Sequence, residues 1–288
     1  MAATSKGNLA KVHADTILSK NTKEGVRAMA KRIAWVLLVV ILLCTTLFFL
    51  DRNVMLVREV EVTGCVMLDP DLIESHSGVR AGQSLLQLRG KIVRKNIESI
   101  PYIDGARMKW TLGGKVTLTV TERAPVGFVE FGVQCVMLDA ACTVLEVRPE
   151  FEGLELPVVN GLIFLSAQPG KRLTLPEYKS IKDKVQQKEM RDRAILLRAV
   201  ASRSLDALLQ ADAVALIREI DVSAPEELRM VTRDGITVYF GPALELEEKA
   251  ARMVELLEKV HAAGHHAGLL DLGLVEFPSF TPTDAAAD

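Results

Sequence analysis

The chain has 288 residues, 49% hydrophobic and 25% charged, with a formal net charge of −2 at pH 7. That balance is globular and excludes a cationic nucleic-acid binder, because an acidic surface repels phosphate. Four cysteines with no C-x-x-C pair and no His/Cys cluster at zinc spacing give neither a disulfide framework nor a zinc module.

Residues 1–32 are polar, lack apolar periodicity and carry a net charge of +5, which predicts a disordered tail. From Ile33 to Leu50 the chain is apolar without a charge. As a helix this run rises about 27 Å, close to the roughly 30 Å hydrocarbon core of a bilayer. A cleaved signal peptide would end in small residues, but Phe48, Phe49, Leu50 and Asp51 stand there. Lys31 and Arg32 close one end abruptly and Asp51 and Arg52 the other, which disfavours a buried core helix and predicts an uncleaved anchor. Basic residues are retained in the cytoplasm, so the amino terminus is expected inside and the bulk of the chain, net −7, outside.

Val57 to Gly64 alternates apolar and charged residues, the period of a half-buried strand ending at a glycine turn. A helix is expected from Asp69 to Ser77, with Asp69 as cap, Pro70 at its first position and Gly78 as stop. A second runs from Lys91 to Ile100, with Ile92, Val93, Ile97 and Ile100 on its apolar face. Strands follow at Ile103–Trp110 and Lys115–Glu122, joined through Gly113 and Gly114. Strand, helix, helix, strand, strand makes a small α+β module with both helices on one face of its sheet.

VREVEVTG, GQSLLQL at Gly82–Leu88, IPYIDGARMKW at Ile100–Trp110 and VTLTVTERAPVGF at Val116–Phe128 resemble the POTRA module of the bacterial cell-division family FtsQ/DivIB. Glu122, Arg123 and Pro125 supply its closing E-R-x-P; Thr111 stands where the family often has proline. The likeness continues through the hairpin Cys135–Val147 with its central Asp139, where Ala141 replaces a common glycine, and through LPVVNG at Leu156–Gly161. Cys135 and Cys142 are too far out of register across that hairpin for a disulfide, so small apolar packing is expected of them. A helix around Arg191–Leu209 and strands at Ile217–Val222, Leu228–Thr232 and Ile236–Phe240 come next, the last two joined by Asp234-Gly235. Leu246, Ala250, Met253, Leu257 and Val260 then share one helix face, and Gly268–Phe277 reads as a terminal strand. Gly273 follows Asp271-Leu272 where the family has arginine, so no arginine role carries over.

The resemblance implies five parts: a cytoplasmic tail (1–32), a transmembrane helix (33–50), a POTRA module (54–124), a mostly antiparallel β domain with flanking helices (125–280) and a disordered tail (281–288). It implies a non-enzymatic scaffold of the divisome in the bacterial inner membrane, concentrated at the septum. Its implied partners are FtsB/DivIC-like and FtsL-like bitopic proteins and the lipid bilayer, with neither nucleic acid nor a small-molecule substrate. The family's engagement of these partners implicates Gly268–Phe280, with Leu269, Asp271, Val275, Phe277 and Phe280, and more weakly the edge carrying Ala106, Met108 and Trp110. In physical terms, an open strand edge presents unpaired backbone groups that a partner strand completes; the alternative is an ordinary edge strand covered by the chain's own tail. Leu270, Leu272 and Leu274 are expected to face the core. The alternative is a POTRA-bearing export or envelope-assembly component, which would want further repeats or a β-barrel.

Enzyme readings fail on the residues. Gly113-Gly114-Lys115 lacks the other positions of a phosphate loop, since Val116 stands where Ser or Thr is needed. No G-x-S-x-G occurs. His261 and His265 are one helical turn apart without a glutamate placed for metal hydrolysis, so they read as a solvated helix end, and no cofactor is implied. Glu245, Glu247 and Glu248 suit a helix start, where carboxylates favour the dipole.

Overall fold

The computed structural model describes residues 29, 31–48, 55–111, 113–149 and 155–283. The cytoplasmic-tail assignment therefore lies almost wholly outside the described residues, as do Phe49 and Leu50 of the anchor. Helix α1, Lys31–Phe48, is the one described helix long and apolar enough to cross a membrane, and the single-pass reading fits it. Its Thr45 and Thr46 hydroxyls donate to the carbonyls of Ile41 and Leu42 at 2.9 and 2.7 Å, so neither presents a bare polar group to lipid.

A three-stranded sheet, ordered β1-β3-β2, follows, from β1 (Glu59–Thr63), β2 (Ile103–Trp110) and β3 (Lys115–Glu122). Helix α2 (Pro70–Ser77) starts under the Asp69 carboxylate, which accepts the Asp71 N–H at 3.0 Å, and stops at Gly78 with φ 74°. Helix α3 is Gly90–Ile97 and ends three residues earlier than its apolar spacing suggested, because Ser99 and Ile100 close tight turns onto Asn96 and Ile97. Val93, Ile97 and Ile100 are buried, but Ile92 is half exposed, one hundred degrees round the helix from Val93. Val116, Leu118 and Val120 alternate into the core as expected. Thr111 earns its departure from proline: its N–H donates to Lys115 O at 3.0 Å and closes the β2–β3 turn, a bond proline cannot make.

The E-R pair at the end of β3 has two jobs. Glu122 accepts the N–H groups of Val66, Met67 and Leu68 at 3.1, 2.7 and 3.1 Å, gathering the loop that leads to α2. Arg123 reaches the other way. Its guanidinium bonds Asp139 at 2.6 Å, Asp104 at 2.8 Å and the Ile103 carbonyl at 3.2 Å.

The larger sheet has nine strands in the order β12-β11-β10-β9-β8-β7-β4-β5-β6. They are β4 (Gly127–Phe131), β5 (Gln134–Leu138), β6 (Val144–Arg148), β7 (Val158–Asn160), β8 (Ile217–Asp221), β9 (Leu228–Thr232), β10 (Thr237–Gly241), β11 (Gly268–Asp271) and β12 (Ser279–Pro282). Pairing is antiparallel except at β4–β7, β7–β8 and β10–β11. Helices α4 (Lys184–Gln210) and α5 (Leu246–Ala262) cover one face, where Leu205, Leu208, Met253 and Leu257 share a core with Val136, Ile220, Val238 and Phe240. The other face of β4–β6 carries a small second core of Phe128, Cys135, Met137 and Leu145, with Tyr102 packed against it. The Tyr102 hydroxyl donates to Glu146 at 3.0 Å, and burial, with that bond second, pushes the phenol up to about 12.

Cys135 pairs with Arg148 across the hairpin, while Cys142 sits in its turn at φ 57° and belongs to the opposite core. Burial, reinforced by Asp139, pushes the Cys142 thiol up to about 12, far from a reactive thiolate.

Helix α4 begins seven residues before its apolar periodicity does. Its first turns are solvent-facing, and Asp183 caps them by accepting the Val185 N–H at 2.8 Å.

Candidate partner-binding edge

The terminal strand departs from expectation. Only Gly268–Asp271 is extended; residues 272–277 turn, and the chain returns as β12, antiparallel to β11. Gly268–Phe277 is therefore not the sheet's open edge, and Leu274, expected in the core, is 70% exposed. Asp271 ends the strand by accepting the Gly273 N–H at 2.8 Å, an Asx turn that overrides the leucine alternation. Thr281 and Pro282, expected in a disordered tail, belong to β12, and residues 284–288 of that expected tail lie outside the described residues.

The edge thus lies one strand further out. Thr283 N donates to Ala267 O at 3.2 Å, and Leu272 N to Tyr239 O at 2.8 Å. Antiparallel alternation then directs the backbone groups of Thr281 and Ser279 inward and those of Phe280 and Pro282 outward. Proline has no donor, so the outer side offers one N–H, that of Phe280, beside outward carbonyls. Among the described residues no strand pairs with it. The opposite end of the sheet differs: β6 is met by its own chain, with Val144 N donating to Lys171 O at 2.9 Å and Gly170 N to Val144 O at 2.8 Å.

Phe280 is half-buried with its ring over Gly268, where a Cβ would come within 2.6 Å of Phe280 Cζ. It pairs with buried Leu270 and lines, with Leu256, Val260 and Ala263 of α5, the groove beneath the edge. Its role is to seat β12. Leu269 is 44% and Phe277 74% exposed; with Leu274 they leave an apolar fringe on the segment carrying the edge. Val275 is half-buried in the turn, in a groove shared with Glu248, Arg252 and Glu255 of α5. Asp271 also acts on Lys249, whose ammonium donates to the carbonyls of Phe240 and Pro242 at 2.6 and 3.3 Å. Burial pulls that lysine below its ordinary range, with Glu245 and Asp271 opposing.

At the second candidate edge, β2 is terminal in its sheet, but Ala106 is buried and Met108 Cε lies 3.6 Å from where a side chain on Gly90 would start. Of the three residues named there only Trp110 is exposed, at 42%.

Residues 55–123 match the model of the FtsQ-type POTRA domain, and 128–272 that of the cell division protein FtsQ/DivIB C-terminal region. The chain belongs to the FtsQ/DivIB family. Its similarity to cell division protein DivIB of Clostridium botulinum (strain Loch Maree / Type A3) is 21% identity over 224 residues, 78% of this chain and 80% of that one. Cell division protein FtsQ of Anaeromyxobacter sp. (strain K) is 25% identical over 216 residues, 75% and 67% of the two chains. FtsQ of Corynebacterium glutamicum is 30% identical over 74 residues, 26% and 33%. These names support a role in division for this FtsQ/DivIB member, in a family of scaffold type and not a known enzyme family. The C-terminal match ends at residue 272, before β12, so the edge itself is read from geometry alone.

Proposed function

We propose that this protein is a non-enzymatic, single-pass scaffold of the bacterial divisome that takes up a partner's backbone strand along β12. The anchor holds it in the inner membrane with the amino terminus in the cytoplasm, the POTRA module at 54–124 and the β domain after 125 outside. Confinement to the membrane plane raises the partners' effective concentration, and strand addition sets their geometry at the septum, where the scaffold helps to control cell-wall synthesis. The partners are FtsB/DivIC-like and FtsL-like bitopic proteins. The observation that carries this reading is the β12 end of the nine-stranded sheet, which no strand pairs with among the described residues, with exposed Leu269, Leu274 and Phe277 alongside it.

The test is a double substitution, Leu274→Glu with Phe277→Glu, in the full-length chain. Both side chains are exposed, so the thermal midpoint should stay unchanged while co-purification of the FtsB/DivIC-like and FtsL-like proteins is lost. Undiminished capture by a correctly folded variant sinks the proposal. A fluorescent fusion separates division from export: a midcell band supports the first and uniform envelope signal the second.

A further inference from the structure

The turn between β9 and β10 meets the carboxyl end of α5 and the connection that follows it. Asp234 occupies the β9–β10 turn, His261 the last turn of α5, and His266 the connection into β11. One ligand atom from each, a carboxylate oxygen and two imidazole nitrogens, lies within 4.8 Å of the other two. The two imidazole rings stack at 5.8 Å between centroids, inclined by 22°.

We propose that Asp234, His261 and His266 form a binding site for a divalent transition metal of the zinc class, independent of the division role. Two imidazoles and one carboxylate are a ligand set that Zn²⁺ favours, with a fourth, tetrahedral position left to water. Tetrahedral zinc at about 2.0–2.1 Å from its ligands needs donor atoms roughly 3.3 Å apart. Exposed side chains reach that by small rotations from the present separations. The carboxylate is already oriented. One oxygen of Asp234 bonds the Thr232 hydroxyl, which also accepts the Ile236 N–H at 2.9 Å, and the other faces His261 Nε2. Such an outer hydrogen bond to a ligating carboxylate is what tunes metal sites. Gly264, at φ 83°, turns the chain back after α5 so that His266 comes round to His261. His265 faces away, its ring 5.7 Å from that of Phe280. His261 and His265, one turn apart in the sequence, are thus not brought together, and Asp234, 27 residues upstream of His261, is outside any local pattern.

A bound ion would pin the β9–β10 turn to the residue preceding Ala267, whose carbonyl receives the Thr283 N–H. The experiment uses the untagged full-length chain in detergent micelles, with Zn²⁺ titrated against a chromophoric chelator and thermal unfolding followed with and without the ion. One Zn²⁺ per chain and a raised midpoint are expected. His266→Ala and Asp234→Asn should each weaken binding by about tenfold or more and abolish the midpoint rise, while His265→Ala leaves both as in the parent. Because His266 is exposed, its variant keeps the parent's midpoint in chelator, which separates lost binding from lost fold. Absence of saturable binding, or binding that survives His266→Ala and His261→Ala, overturns the site and leaves Asp234 and His261 as a hydrogen-bonded pair.

Discussion

Arg123→Ala is expected to lower stability by about 3–5 kcal/mol, the range for removing one partner of a buried ion pair. Asp139 has a side chain only 8% exposed; one of its oxygens accepts the Ala141 and Thr143 N–H groups at 2.9 and 2.6 Å, and the other depends on Arg123. Without the guanidinium a carboxylate is left out of water with half its acceptors unmet. Asp104, on the opposite side of the same guanidinium, is 60% exposed, so Asp104→Asn should cost no more than about 1 kcal/mol. Arg123→Lys should fall between, since one ammonium cannot span Asp139, Asp104 and the Ile103 carbonyl together. Denaturant midpoints of the three variants check the order, and equal losses for Arg123→Ala and Asp104→Asn would falsify it.

A comparable loss is expected from one methyl group at Gly161. This glycine closes β7 at φ 87°, where a side chain costs about 1–3 kcal/mol in backbone strain. A Cβ there would also come within 2.4 Å of Ser223 N and 2.7 Å of its Cα, contacts relieved only by moving main chain. Overpacking of that kind adds about 1–3 kcal/mol. The place matters, because the parallel β7–β8 pair joins the β4–β6 end of the sheet to the β9–β12 end, and Val222 N bonds Asn160 O at 3.0 Å beside the glycine. Gly132→Ala is the control: Gly132 also has positive φ, 65°, but nothing lies within 4 Å of its Cβ position. Gly161→Ala should lower the thermal midpoint by clearly more than Gly132→Ala. Equal shifts would show that strain alone acts and the close approach is immaterial.

Elements whose ends are written in local chemistry were legible. The Asp69-Pro70 start and Gly78 stop of α2, the glycine pair between β2 and β3, the Asp234-Gly235 turn and the buried face of α5 all appear where the residues indicated. Resemblance supplied the rest of the order. Periodicity failed where solvent or long-range packing decides. The first turns of α4 carry no apolar rhythm because they face water. Leucine alternation overran β11 because Asp271 turns the chain against it. β12 has no pattern of its own, being a four-residue strand ending in proline, held by an aromatic ring seated on a glycine twelve residues earlier. The edge assignment therefore shifted by one strand while the region stayed the same.

The proline at an outward position of β12 also bears on what the protein avoids. Two copies meeting antiparallel at Phe280 would exchange a single pair of amide bonds, and the remaining lone pairs would face one another with no hydrogen between them. A foreign segment placed with an amide opposite Pro282 can still donate to that carbonyl, and forgoes only the bond that proline cannot give. Two copies should consequently stay apart along this strand, and Ser279→Cys with Thr281→Cys, which such a pairing would set opposite each other, should give no homotypic crosslink. With its lone outward donor at Phe280, the edge is poorly matched to its own image.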